Sequence, residues 1–309
     1  MLNKFCSLLL PLLLIACATP PIQYKDVIQP QALFMAPLQS DKPVVALALG
    51  SGGDRGFAHI GVIKVLEANG IRIDMVLGTS AGSVVGALYA GGYSGAELEN
   101  LALEMDREKL KDYDFSRRGY VRGEQLQDFI NRALKNRSIE QLGMPFIATA
   151  TQLRTGKTVA FNHGNTGMAV RASSSIPGVF YPVMIDGEEY VDGDLKKPVP
   201  VTLAREMGAD FIIAVDISQQ PAHHPAPEDI IDILKQSLRI MRQSILAHEL
   251  ETAQVVIRPE IDITPEIDAN SKLRLIKTGE EAATAAMPQI LEWLQKIEAE
   301  KRLERAIPQ

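Results

Sequence analysis

Apolar residues occur in this chain as short continuous runs separated by segments with a helical rhythm. Val44 to Leu49 is one such run, bounded by Pro43 and Gly50; Ile73 to Leu77, Phe211 to Ile217 and Val255 to Ile257 are others. Runs of this length, broken at most by a single Asp74 or Asp216, predict strands buried on both faces, as in a parallel sheet. Between the first two runs, Phe57 to Ala68 reads as a helix that Gly70 ends. The unit is βαβ, and a right-handed crossover places both strands in one parallel sheet. Phe146 to Thr151 and Lys157 to Phe161 read as a hairpin with Arg154-Thr155-Gly156 at its turn, and Glu188 to Val191 as a further short strand. Helices are expected at Ser83 to Ala90, Met168 to Ser175 and Ile230 to Leu250, with one or two more around Trp293 between Gly279 and Arg305. Residues 96 to 142 are charged, with leucines at helical spacing, and predict surface helices that cap a site. The fold class is α/β, and without an internal repeat or clean break one domain is expected over 41–300.

The N-terminus carries a different signal. Lys4 precedes an apolar stretch, Leu8 to Ile15, too short for a spanning helix of about 20 residues. This is the pattern of a cleaved export signal over residues 1–16. Leu14-Ile15-Ala16-Cys17 resembles the lipobox of bacterial lipoproteins, which implies cleavage before Cys17 and its lipidation; an ordinary secretory signal is the alternative. The chain has 2 cysteines, Cys6 and Cys17, so cleavage leaves no internal disulfide and no cysteine metal site. Residues 17–40 hold Pro20, Pro21, Pro30 and Pro37 and read as a lipidated tether, with Val27, Ile28, Leu33, Phe34 and Met35 available to pack on the domain. In lipoproteins, Ala18 rather than aspartate after the cysteine points to the outer membrane, facing the periplasm. The 309 residues are 46% hydrophobic, which suits a large core. A net charge of −6 excludes a nucleic-acid surface.

The candidate chemistry starts where the second run ends, at Gly78-Thr79-Ser80-Ala81-Gly82. Strand, sharp turn and helix around Gly-x-Ser-x-Gly are the context of a nucleophile elbow, with Ser80 as the nucleophile. Gly78 and Gly82 let strand and helix approach closely, and the Ala81 N–H would face a reacting carbonyl oxygen. The alternative is a glycine-rich turn without chemistry. A second glycine loop, Gly50-Ser51-Gly52-Gly53-Asp54-Arg55-Gly56, follows the first strand. Its N–H groups could hold an oxyanion or a phosphate. It lacks the Gly-Lys-Ser/Thr ending of a phosphate loop and the spacing of a dinucleotide fingerprint, although Asp74 loosely fits the acidic position of the latter. Ile176 to Pro182 is an apolar loop, lining an acyl pocket or buried in the core. His223 and His224 form a pair without a third metal ligand nearby and read as part of a polar loop; no metal or other cofactor is expected.

Gly52-Gly53-Asp54-Arg55-Gly56, Gly78-Thr79-Ser80-Ala81-Gly82 and Asp192-Gly193, in this order, resemble the motifs of the patatin-like phospholipases. His59-Ile60-Gly61-Val62, Arg171-Ala172-Ser173 and Pro198-Val199-Pro200 extend the resemblance over most of residues 44–217, nearest the bacterial group similar to the catalytic region of neuropathy target esterase. It implies a three-layer fold with a mostly parallel sheet and helices on both faces. It implies a Ser–Asp dyad, Ser80 the nucleophile and Asp192 the base, and an oxyanion hole from the N–H groups of Gly52, Gly53 and Asp54 with Arg55 nearby. Two residues depart from the pattern: Ser51 and Asp194 stand where many members have glycine. A carboxylate that close to Asp192 raises the pKa of one of the pair.

The expected function is a membrane-anchored acyl hydrolase of phospholipid, lysophospholipid or related esters. The alternatives are a lipid-binding or regulatory protein with a weak site, a Ser80–Asp192–histidine triad using His223 or His224, and a nucleotide-binding α/β protein. Against the triad, the short span from Val44 to Ser80 holds one βαβ unit, fewer strands than an α/β-hydrolase places before its nucleophile.

Overall fold

The computed structural model describes residues 28–219, 226–261 and 268–306. The signal and the first part of the expected tether, Cys17 to Val27, lie outside these residues, as do His223 and His224.

The first βαβ unit forms as the pattern predicts: β1 Val45–Leu49, α1 Phe57–Ala68, β2 Met75–Thr79 and, after Ser80, α2 Ala81–Ala90. Then come α3 Gly95–Glu104, a small hairpin of β3 Tyr113–Ser116 and β4 Gly119–Val121, and α4 Glu124–Ala133. β5 Phe146–Gln152 and β6 Thr158–Phe161 form the expected hairpin, followed by α5 Thr166–Ser173, β7 Val183–Ile185 and β8 Glu188–Asp192. The chain closes with α6 Val201–Glu206, β9 Phe211–Val215, α7 Ile230–Leu250, β10 Val255–Ile257 and α8 Ala269–Ala306.

Five strands pair in parallel in the order β10-β9-β1-β2-β5. Successive side chains of a strand point to opposite faces, and β1 shows both. Val45, Leu47 and Leu49 join the layer of α1 to α5 and α8, whereas Ala46 and Ala48 join α6 and α7. The three-layer α/β architecture expected from the sequence is therefore present.

From β5 on the sheet turns antiparallel. β5 pairs with β6 along Ala148 to Thr151. On the same stretch Thr149 pairs with Thr79 of β2, and Ala150 with Asp192 of β8. A strand has two edges, so β2 and β8 share the edge opposite β6. They run toward each other along it, and the ends of β2 and β8 meet at adjacent rungs. Asp186 and Gly187, with φ of 48° and 79°, turn β7 into β8. Two positive φ values mark the hairpin turn that Asp-Gly favours.

Two expectations are corrected. Residues 30–38 dock chiefly through the backbone, with Gln31 bridging His163 and the Leu38 N–H bonded to the Met207 carbonyl. Met35 packs on the core, but Phe34 is 91% exposed and Ile28 and Leu33 are exposed too. The final helix is one 38-residue element that starts before Gly279 and contains Pro288.

Candidate active site

Ser80 is the last residue before α2 and has φ 54° and ψ −122°. A side chain in this region costs roughly 1–3 kcal/mol of strain. The surroundings enforce it. A Cβ on Gly78 would strike Gly82 and Ser83, and one on Gly82 the Leu49 carbonyl, so β1, β2 and α2 are packed at backbone distance. The Ser80 N–H donates to Ser173 Oγ at 2.9 Å, and its carbonyl accepts from the Ser83 N–H and hydroxyl at 2.8 and 2.7 Å.

Asp192, the last residue of β8, arrives at the neighbouring rung. Ser80 Oγ donates to Asp192 Oδ2 at 2.6 Å, and both residues are buried, at 4% and 2% exposure. Asp192 Oδ1 accepts the Asp194 N–H at 2.8 Å, and the Asp192 N–H donates to the Ser175 carbonyl at 2.9 Å. Below them Thr79 Oγ1 lies 2.5 Å from Thr149 Oγ1 and 2.7 Å from the Lys197 carbonyl oxygen. The structure thus brings together the two residues that the sequence singled out as nucleophile and base.

Burial, and then the Asp194 carboxylate, push the Asp192 carboxyl up to about 7; the Ser80 hydroxyl, the Asp194 N–H and Arg242 pull the other way. A carboxylate titrating near neutrality is a far better proton acceptor than an exposed one. Among the described residues no histidine is hydrogen-bonded to Ser80 or Asp192. His59 is buried in α1, where its Nε2 lies 2.8 Å from the Gly50 carbonyl oxygen. Burial lowers its pKa to about 4, so it is neutral at pH 7 and fixes the start of the glycine loop.

The two departures from the family pattern face each other. Ser51 Oγ bonds Asp194 Oδ1, and Arg242 of α7 donates to both, at 2.6 Å to Asp194 Oδ1 and 2.7 Å to Ser51 Oγ. Arg242 escaped the sequence reading because an arginine on an amphipathic helix looks solvated. The available signal was the pair itself: two polar replacements of glycine at one site call for a common partner.

Ser80, Ala81, Gly53 and Asp54 open onto a cavity of about 380 Å³. Its walls are mostly apolar, with Phe57 and Ile60 of α1, Leu101 of α3, Phe129 of α4, and Ile176 and Phe180 of the apolar loop among them. The segment expected to cap the site does contribute walls, and Arg107 within it is paired with Asp54 at 2.8 Å. Gly53, at φ 58°, starts a short 3-10 turn whose leading N–H groups have no partner within the turn. Gly52 and Arg55 do not line the cavity. Gly52 packs on Ile217, and Arg55 donates to Gln219 at 3.3 Å, its pKa lowered to about 10 by burial and Arg242.

Residues 47–205 match the family model of patatin-like phospholipases. The chain belongs to this family. An NTE family protein of Mycobacterium tuberculosis (strain ATCC 25618 / H37Rv) is 38% identical over 206 residues, 65% of this patatin-like chain and 57% of that relative. Human patatin-like phospholipase domain-containing protein 6 is 34% identical over 184 residues, 57% of this chain but 13% of its own. The lysophospholipase NTE1 of Coccidioides immitis is 35% identical over 179 residues, 56% of this chain and 11% of its own. The patatin-like chain therefore spans little more than half of the mycobacterial relative and a small part of the others. Among solved structures, VipD from Legionella pneumophila shares the fold, with a TM-score of 0.53 and 14% identity over 89% of this chain and 72% of that one.

Proposed function

We propose that this protein is a serine acyl hydrolase that cleaves phospholipid or lysophospholipid esters with a Ser80–Asp192 dyad. The observation that carries the reading is the 2.6 Å hydrogen bond from Ser80 Oγ to Asp192, made at the edge of an apolar cavity. A serine hydroxyl attacks an ester well only when a base takes its proton. Asp192 takes that proton as Ser80 Oγ bonds to the carbonyl carbon. The N–H groups of Gly53, Asp54 and Ala81, residues that line the cavity beside Ser80, would stabilise the oxyanion. Collapse breaks the ester C–O bond, and Asp192 returns the proton to the departing alcohol. Water then repeats the attack, with its proton taken by Asp192 and delivered to Ser80, and the fatty acid leaves.

The membrane side of the reading rests on two features. Cys17 at the end of its lipobox would be acylated, and the enzyme would sit on the outer membrane facing the periplasm, held by more than one chain. Leu246 and Leu250 of α7 pack on the sheet, while Arg242 already reaches the loop beyond β1. The preceding 12 residues, 230–241, continue α7 as about 18 Å of helix. They expose Ile230, Ile233, Leu234, Leu238 and Met241 on one face, which suits a lipid surface.

Labelling by a fluorophosphonate probe and turnover of a nitrophenyl ester and a lysophospholipid test the enzyme. Wild type should label and turn over, and Ser80→Ala should do neither. A folded wild type that does neither would favour a lipid-binding protein instead. Incorporation of labelled palmitate, lost in Cys17→Ser, tests the anchor.

A further inference from the structure

Three consecutive serines lie between the two halves of the dyad. Ser173 accepts the Ser80 N–H on its hydroxyl. Ser175 accepts the Asp192 N–H on its carbonyl, and its own hydroxyl is bonded to the Arg171 carbonyl at 2.8 Å. The outer two therefore hold the backbones of nucleophile and base. Ser174 differs. Its residue is buried, at 8% exposure, it lines the same cavity as Ser80, and its Oγ has no hydrogen-bond partner among the described residues. An unpaired buried hydroxyl is disfavoured by the folded protein alone, because it gives up water without replacement. In a cavity whose walls are otherwise mostly apolar, the group that would complete it is a polar atom of the occupant.

We infer that Ser174 is a substrate-contacting residue, its hydroxyl hydrogen-bonding the ester group of the lipid held for attack by Ser80. The inference rests on the acyl hydrolase reading and extends it. The placement is specific: Ser174 lies between the two residues that pin the reacting groups and lines the cavity onto which Ser80 opens. As a hydroxyl it can donate to an ester oxygen, and because its proton is not spent inside the chain, that bond needs no internal one to be broken.

The test uses the full chain and reads kcat/KM on a lysophospholipid beside the thermal midpoint. Ser174→Ala should lower kcat/KM about ten-fold while the midpoint stays level or rises, since no internal bond is lost. Ser173→Ala and Ser175→Ala, which do lose internal bonds, should each lower the midpoint. The isosteric pair Ser174→Thr and Ser174→Val separates hydroxyl from volume: the threonine variant should be several-fold faster than the valine variant. Equal rates for threonine and valine, or wild-type turnover in Ser174→Ala, would overturn the inference while leaving the hydrolase intact. A midpoint drop of several degrees in Ser174→Ala would also overturn it, by revealing a structural bond. A wild type that neither turns over ester nor labels with the probe removes the hydrolase reading first, and this inference with it.

Discussion

The two strands that meet at the site reach it in opposite ways. β2 comes through the middle of the parallel sheet, buried along its whole length, and delivers Ser80 into a turn fixed by backbone-to-backbone packing at Gly78 and Gly82. β8 comes from an antiparallel hairpin whose first residues, Glu188 and Glu189, are partly exposed and ion-paired with Arg154 and Arg118. Only Val191 and Asp192 of β8 are buried. The Ser80 arm is rigid because the sheet would have to open for it to move. The Asp192 arm is held by a handful of hydrogen bonds around its last residue. Geometry is fixed on one side, and electrostatics are adjusted on the other.

Substitutions at the arms break this contrast most sharply at Gly82. Gly82→Ala should abolish soluble folded protein, read by circular dichroism, because its Cβ has nowhere to go. Next in size, Asp192→Asn should keep the fold and reduce kcat by about 10³-fold or more, as loss of a general base or its partner does. A substantially active Asp192→Asn would sink the dyad.

The pH profile is expected to show the adjustable side. With Asp192 as the proposed base, kcat/KM should rise with pH and level off above a midpoint near 7. Arg242→Gln removes a cation that favours the charged form and should move the midpoint up; Asp194→Asn removes a repelling anion and should move it down. Shifts of the same sign in both variants would contradict this account. The same carboxyl affects stability. Its pKa is raised in the fold from 3.8 to about 7, so the unfolded chain releases this proton first and stability falls as pH climbs from about 4 to 7. Compared with Asp192→Asn, wild type should therefore lose thermal stability over that window and stay level above it.

Smaller effects belong to the hairpin and to His223 and His224. Gly187 has φ 79° and open space around its Cα, so Gly187→Ala should cost about 1 kcal/mol in denaturant unfolding without loss of fold. His223→Ala with His224→Ala should change kcat/KM less than two-fold; a loss of several orders of magnitude would restore the triad.

The same contrast explains what could be read from the sequence. The parallel strands β1, β2, β9 and β10 announce themselves as unbroken apolar runs because both faces are buried, and α1 and α7 have the expected bounds. Ser80 and Asp192 are legible through their motifs, and the structure places them in contact. β7 is not legible: Val183–Ile185 is three residues long, and the Asp-Gly that turns it into β8 is at 186–187, whereas Asp192-Gly193 leads into a short 3-10 turn at the site. β3 and β4 lie in a charged stretch that pairs locally and has no core face long enough to show alternation. Ser174 gave no signal, since a hydroxyl's lack of a partner is a property of its surroundings alone.

One contact reaches beyond the motifs. α8 crosses α1 so closely that a Cβ on Gly61 would meet the Ile276 carbonyl, and one on Gly279 the Ala58 carbonyl. α1 begins directly after the glycine loop. The family match ends at residue 205, yet the helix that seats this loop is clamped by a segment some 70 residues later. A fragment cut at the limits of the family match would carry every motif and still lack the brace behind its glycine loop. For anyone dividing such chains into modules, or fusing a tag to the C-terminus, the last helix counts as part of the machinery.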